Sequence, residues 1–173
     1  MATTNRKNRD SIKFNSKGLW IKAGITEFEN FGEEISVKQS PTDSTDSITL
    51  MTGYVVNKLG SREHKLSLVL AQSDKAIKDR IEELLGTSVK LILDNGVVGS
   101  KKQAYYYPEV TFIGVGEIEF AGKKHQALNV ELSAMPQNSA ISVTPSTDFP
   151  TEMGFVLATP VVGKNPFYVI VEE

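Results

Sequence analysis

From Lys65 to Leu70 the chain reads Lys-Leu-Ser-Leu-Val-Leu, so Leu66, Leu68 and Leu70 fall on one side of an extended backbone and Lys65, Ser67 and Val69 on the other. Side chains alternate across a strand, and this period of two demands a half-buried β-strand over these residues. The same period recurs along the chain. Residues 18–28, 33–38 and 48–56 read as strands, and Val89, Leu91 and Leu93 alternate with Ser88, Lys90 and Ile92. That run ends at Asp94-Asn95-Gly96, where Asn-Gly tolerates the positive φ of a tight turn. In the next extended run, 103–115, Pro108 marks an edge or a bulge because it cannot donate to a ladder, and Gly114-Val115-Gly116 marks a bend or bulge. Residues 117–120 and 127–134 pair as a hairpin. Its polar face is Glu117, Glu119, Asn129, Glu131 and Ser133, opposite Ile118, Phe120, Leu128, Val130 and Leu132.

One stretch has a helical period. Ile77, Ile81, Leu84 and Leu85 fall at i, i+4, i+7 and i+8 within 73–86, with Ser73 as N-cap, Asp74 at the positive end and Gly86 at the left-handed C′ position. The expected fold is therefore mainly β, an antiparallel β-sandwich or barrel with this single α-helix packed on it. A basic N-terminal arm, 1–16, precedes a core over 17–135. Inside the core, 39–47 reads Gln-Ser-Pro-Thr-Asp-Ser-Thr-Asp-Ser, nine residues without an apolar side chain, which predicts a long polar loop. Residues 136–173 hold Pro136, Pro145 and Pro150 among Ser, Thr and Asn, and read as an extended segment with short strands that either closes as a terminal hairpin or leaves the domain as an arm.

Composition removes several classes of function. A chain of 173 residues is sized for one domain with its own core. It has no cysteine, which excludes a disulfide framework, a thiol nucleophile and a thiolate metal site, and is consistent with a cytoplasmic setting. The first fifteen residues are polar and no apolar run approaches the roughly 20 residues that span a bilayer, so neither signal peptide nor membrane anchor is expected. Nineteen basic against twenty-one acidic side chains, a net charge of −2, argue against a protein that grips phosphates over a broad face. The charge is unevenly placed. Residues 1–22 carry six bases against Asp10 alone, whereas 23–60 carry six acids against Lys38 and Lys58.

Catalytic groups are few. His64 and His125 both lie in charged stretches and read as solvated strand ends. No zinc-protease, nucleophile-elbow, phosphate-loop or calcium-loop spacing occurs, and no metal or cofactor is expected. Glu117 and Glu119 share a strand face but read as solvent-facing. Tyr105, Tyr106 and Tyr107 have the stacking half of a single-strand nucleic-acid platform without its basic groove, and read as strand or interface aromatics.

The strand of Lys65 to Leu70, the helix of Ala76 to Leu85 and the strand of Val89 to Leu93, with an early polar stretch and Gln126 to Ala134 as closing strand, resemble the phage tail tube protein family over roughly Lys17 to Ala134. Tail terminator and head completion proteins look similar. The resemblance implies a non-enzymatic subunit of the virion tail, assembled in the host cytoplasm into a homo-oligomeric ring, commonly a hexamer. Such rings stack, with other tail proteins as partners, into a tube that conducts DNA without binding it specifically. It also implies that the early polar stretch and the termini bridge successive rings. On this reading Gln39, Ser40, Pro41, Thr42, Asp43, Ser44, Thr45, Asp46 and Ser47 are the candidate inter-ring contacts, with Arg6, Lys7 and Arg9 offering complementary charge. Duplex DNA carries one negative charge per roughly 1.7 Å of axis, so a conducting wall must be acidic or neutral, and Glu117, Glu119 and Glu131 are the lumen candidates. The reading from another class is a monomeric or small-oligomer β-barrel that binds single-stranded nucleic acid or a small ligand, with Tyr105 to Tyr107 at its site.

Overall fold

The computed structural model describes residues 18–24, 27–31, 34–49, 51, 55–71, 75–119 and 127–173. They form β1 (Leu19–Ala23), β2 (Glu29–Asn30), β3 (Glu34–Thr49), β4 (Val55–Ala71), α1 (Lys75–Leu84), β5 (Ser88–Val98), β6 (Lys101–Glu119), β7 (Ala127–Ala134), β8 (Ser142–Val143), α2 (Pro145–Asp148), β9 (Val161–Val162) and β10 (Val169–Glu172). Seven strands lie in the order β2-β1-β5-β6-β7-β4-β3, each antiparallel to its neighbours, and β10 joins β6 as an eighth. The fold is mainly β with one helix longer than a single turn, as the alternation predicts. Among the described residues no helix is long and apolar enough to cross a membrane.

The sheet curls around one interior. Leu19 and Ile21 of β1 and Leu66, Leu68 and Leu70 of β4, from opposite sides of the strand order, belong to the same buried cluster, with Leu91 and Leu93 of β5, Phe112 of β6 and Val130 and Leu132 of β7. These are the alternating apolar residues of the sequence. Helix α1 fills this interior with Ile81 and Leu84, both essentially inaccessible, a gain of about 1.5–3 kcal/mol each. Arg80 anchors its outer side, its Nε and Nη2 donating to the two carboxylate oxygens of Glu29 at 3.0 and 2.6 Å.

Two local expectations change, and the bulge expected at Pro108 is present. The helix stops at Leu84, so Leu85 leaves the 3.6-residue period. It forms a single bridge to Phe112 and is 42% exposed instead of buried. Gly86 takes the expected left-handed conformation, φ 74°, and donates its N–H to the Phe112 carbonyl at 2.9 Å; Ser73 and Asp74 lie outside the described residues. Asn95-Gly96 does not end β5: the Gly96 N–H donates to Asp94 Oδ1 at 2.8 Å, the register slips between Asp94 and Val97, and the hairpin turns at Gly99-Ser100. Pro108 sits where Val89 pairs with Val110 and Leu91 with Tyr107, a bulge inside a central strand, and further slips flank Gly114 and Gly116.

Residues 136–173 fold back over the outer face of β1, β5 and β6. Ile141, Val143, Phe149, Met153, Phe155, Val169 and Val171 bury Trp20, Ile92, Ala104 and Tyr106 in a second cluster. This is why Ile92 alternates with two residues that face the first interior yet is itself fully buried. Strand β10 pairs with Gln103 to Tyr106, and the Glu173 carboxylate accepts from the N–H groups of Val156 and Leu157 at 2.9 and 3.3 Å.

Candidate functional site: the long hairpin and the open sheet face

The polar stretch expected to be a loop is strand. Within β3, Gln39 pairs with Leu66, Ser40 with Lys65, Pro41 with His64, Thr42 with Glu63, Asp43 with Arg62, Thr45 with Leu59, Asp46 with Lys58 and Ser47 with Asn57, and Ser44 falls at a register slip. Alternating hydrophobicity marks a strand only when one face is buried. Here β7 pairs with β4 from His64 to Ala71, so among the described residues Val55 to Glu63 has β3 as its strand partner. The two strands continue past the sheet as a ribbon of roughly 30 Å, at about 3.3 Å per residue, with Met51 fully exposed near its turn. Pro41 is tolerated because β3 is the last strand of the sheet order. The register sets Arg62 opposite Asp43 and Lys58 opposite Asp46, so the ribbon carries its own opposite charges. Arg6, Lys7 and Arg9 lie outside the described residues.

Beyond the C-terminal cover, the outer face of the sheet is open and polar. One row crosses five strands, Ser88, Thr111, Ser133, Lys65 and Ser40, each paired to the next. A second runs through Gly114, Glu131, Ser67 and Lys38. Leu128, Val130 and Leu132 are buried while Glu131 is exposed, the division of faces that the alternation of β7 predicts. Glu131 therefore shares its face with Lys38 and Lys65, which are also exposed. Lys65 Nζ lies 3.8 Å from Glu63 Oε2 with both side chains more than half exposed, a pair worth little. Glu117 and Glu119 lie on β6, with Glu119 opposite Ala127, and Phe120 is outside the described residues.

Two of the three aromatic candidates, Tyr106 and Tyr107, are buried, and Tyr105 is half-buried. Tyr106 is buried under the C-terminal segment and stacks on Phe149 at 6.0 Å, while Tyr107 is fully buried in the first cluster. Consecutive strand residues point to opposite faces, so three successive tyrosines cannot form one platform. Burial raises the hydroxyl pKa of Tyr105, Tyr106 and Tyr107. His64 is likewise not a solvated strand end. It is 4% exposed, and desolvation pushes its pKa below the ordinary value. Its flanking charges, Glu63 and Lys65, occupy the other face of β4, a signal the alternation of Leu66, Leu68 and Leu70 already carried. His125 lies outside the described residues.

A cavity of about 390 Å³ opens between the sheet and the C-terminal segment, lined by Lys22, Glu27, Phe28, Lys90, Asp148 and Glu152 among others. Lys22 and Lys90 are cross-strand partners, and Lys22 Nζ stands 5.4 Å from the Phe28 ring centroid. The lining contains no histidine, so it has no nucleophile and imidazole base in contact. Among the described residues no three His, Cys, Asp or Glu side chains gather into a metal site.

Three solved structures are similar to this chain. A chain of the sheath-tube complex of an extracellular contractile injection system, PVC, in the extended state matches with a TM-score of 0.50 at 10% identity, over 75% of this chain and 93% of that one. A chain of the anti-feeding prophage cap, described as a tube terminating cap, matches with a TM-score of 0.48 at 11% identity, over 68% and 83%. A chain from the virion of a native gene transfer agent particle matches with 0.45 at 14% identity, over 70% and 93%. No family model and no curated protein matches the sequence. At 10% identity the likeness to the PVC chain is one of fold alone.

Proposed function

We propose that this protein is a non-enzymatic structural subunit of a phage-like tail, assembling with copies of itself into rings that stack as a tube. The observation that carries the reading is the β3–β4 ribbon, in which Val55 to Glu63 pair, among the described residues, with β3 and with no other strand of the sheet. A two-stranded ribbon is marginal in water by itself and gains stability when further chains pack against it. Strand β3 is also a sheet edge, and a closed ring is one way to consume such edges between like subunits. The ribbon, from Gln39 to Ser47 and back along β4, is then the contact to the next ring, with Arg6, Lys7 and Arg9 of a neighbouring copy as further charge. Six copies per ring and a location in the virion tail follow the family resemblance.

The open face of Ser, Thr, Gly and Asn with few, balanced charges suits the wall of a DNA channel. It offers no cationic field to hold the polymer, and its exposed apolar surface on β6 is Ile113. Glu117, Glu119 and Glu131 belong to this wall in the proposal, with Lys38 and Lys65 making it near neutral. The ligand-binding alternative loses its support because Tyr106 and Tyr107 are buried on different faces.

Shortening the ribbon tests the reading. Replacing residues 46–58 by Asn-Gly joins the paired Thr45 and Leu59 through a two-residue turn and leaves the part of β4 that pairs with β7 intact. The variant should keep the circular dichroism and melting of the parent domain but form no tubes in negative-stain micrographs or light scattering. Tubes of normal length from this variant, or a parent chain that stays monomeric at every concentration, overturn it.

A further inference from the structure

The ribbon is rooted at His64. The register pairs this residue with Ala134, the last residue of β7, on one side and with Pro41 of β3 on the other, so it marks where the free ribbon meets the sheet. Its imidazole is stacked on Phe167, with centroids 5.3 Å apart and planes at 29°, and lies 5.5 Å from Tyr168 and 5.8 Å from Tyr107. Tyr168 in turn contacts Tyr105 and Tyr107 at 5.7 and 5.3 Å. Three segments remote in sequence thus meet in one aromatic cluster: the ribbon root, the middle of β6, and the chain just before β10.

The cluster is incompletely satisfied. Neither Nε2 of His64 nor the hydroxyl of Tyr107 has a hydrogen-bond partner, although both atoms are buried. The rings against the imidazole are Tyr107 from β6 and Phe167 and Tyr168 from the C-terminal segment; the register sets Ala134 of β7 and Pro41 of β3 beside it, and the nearest charges on its own face are Arg62, two residues along β4, and Asp43 opposite Arg62. Among the described residues no carboxylate pairs with it, and Glu63 and Lys65 on its own strand are exposed and bridge each other.

We propose that His64 is an acid-sensitive latch, whose protonation separates the ribbon root from Phe167 and Tyr168 and loosens both the ribbon and the chain just before β10 while the rest of the sheet stays folded. A neutral imidazole packs here as a flat, nearly apolar ring. A charged one loses its hydration with no counter-charge, and the surrounding ring faces return only part of that loss. Desolvation lowers the folded-state pKa below the ordinary value of 6.5. The sign follows: the latch contributes fully above the unfolded value and weakens as pH falls through it. The opening stays confined to the ribbon root and the chain just before β10, because the second cluster, which holds the rest of the C-terminal segment to the outer face, contains no histidine. The latch is a property of the single chain, whatever it assembles into.

Hydrogen exchange on the full chain, corrected for intrinsic rates, tests this between pH 7.5 and 5. Peptides covering 55–64 and 163–168 should exchange about tenfold faster at pH 5, since each pH unit between the open-state and the folded-state pKa of a single titrating group changes the opening equilibrium by up to about tenfold, while β5 and β7 peptides stay unchanged. In His64→Phe both peptides should be flat with pH; should that variant not fold, His64→Gln replaces it with the same expectation. An imidazole titration by NMR in the parent chain should show a midpoint below 6.5, with the ring resonances of Phe167 and Tyr168 moving in the same transition. Exchange independent of pH, acceleration in only one of the two peptides, equal acceleration in the variant, or a midpoint at or above 6.5 each overturns the latch.

Discussion

At the scale of single residues, the polar atoms that the interior leaves unpaired have measurable consequences. Tyr107 is wholly inaccessible and its hydroxyl has no partner, so the group forfeits its hydration for nothing. Tyr107→Phe keeps the ring and removes the oxygen. It should raise stability by about 1 kcal/mol in urea unfolding, whereas a loss of similar size would reveal a bond to the hydroxyl. The opposite change is Ile81→Asp, which sets a carboxylate among Leu and Phe side chains with no cation beside it. Such a chain should fail to fold, recovered only as aggregate or as a species without near-ultraviolet circular dichroism. Ile81 announced its role through the helical period. The alternation of β4 already placed His64 on the buried face, but the partners of His64 and Tyr107 were not legible, because Phe167 and Tyr168 lie about a hundred and sixty positions into the chain.

At the scale of elements, the end of α1 rests on one glycine. Gly86 has φ 74° with open space where a Cβ would stand, so Gly86→Ala meets conformational strain and no clash. The expected cost is about 1 kcal/mol, read as a melting point lower by several degrees with an unchanged fold. A larger loss would mean that the Gly86 N–H to Phe112 carbonyl bond also breaks. The contrast between α1 and β3 is instructive. Helical periodicity is contained within one element, and the sequence reading placed α1 to within a residue or two of Lys75–Leu84. A polar strand such as Gln39 to Ser47 has no signature of its own, since what makes it a strand is the availability of β4 beside it.

At the scale of the whole molecule, the sheet has one interior, one face covered by its own C-terminal segment, and one face left polar. The proposed tube uses that last face as its channel. Glu117→Lys, Glu119→Lys and Glu131→Lys together would turn a near-neutral wall into a cationic one in every subunit of every ring, on a low-dielectric surface that focuses the field. Tubes should still assemble, because none of the three residues lies on the ribbon, but DNA release from assembled particles should slow markedly, with the delay shrinking at high salt. Normal release from fully assembled particles would place the channel on another face.

The sequence by itself determined which residues must be buried and on which local period. Leu66 to Leu70, Val89 to Leu93 and Leu128 to Leu132 are strands facing one interior, and Ile81 and Leu84 are the helix that fills it. Each of these is written in spacing along a few residues, because alternation across a strand and the 3.6-residue turn of a helix are local geometry. Tertiary structure alone decided the rest: that Gln39 to Ser47 would pair, that Tyr106 and Tyr107 would enter different cores, that Leu85 would stay exposed, and that residues 136–173 would cover Ile92 and Trp20. Those outcomes depend on which distant segment offers a free backbone edge or an apolar face, and that pairing across the chain has no local period to record it.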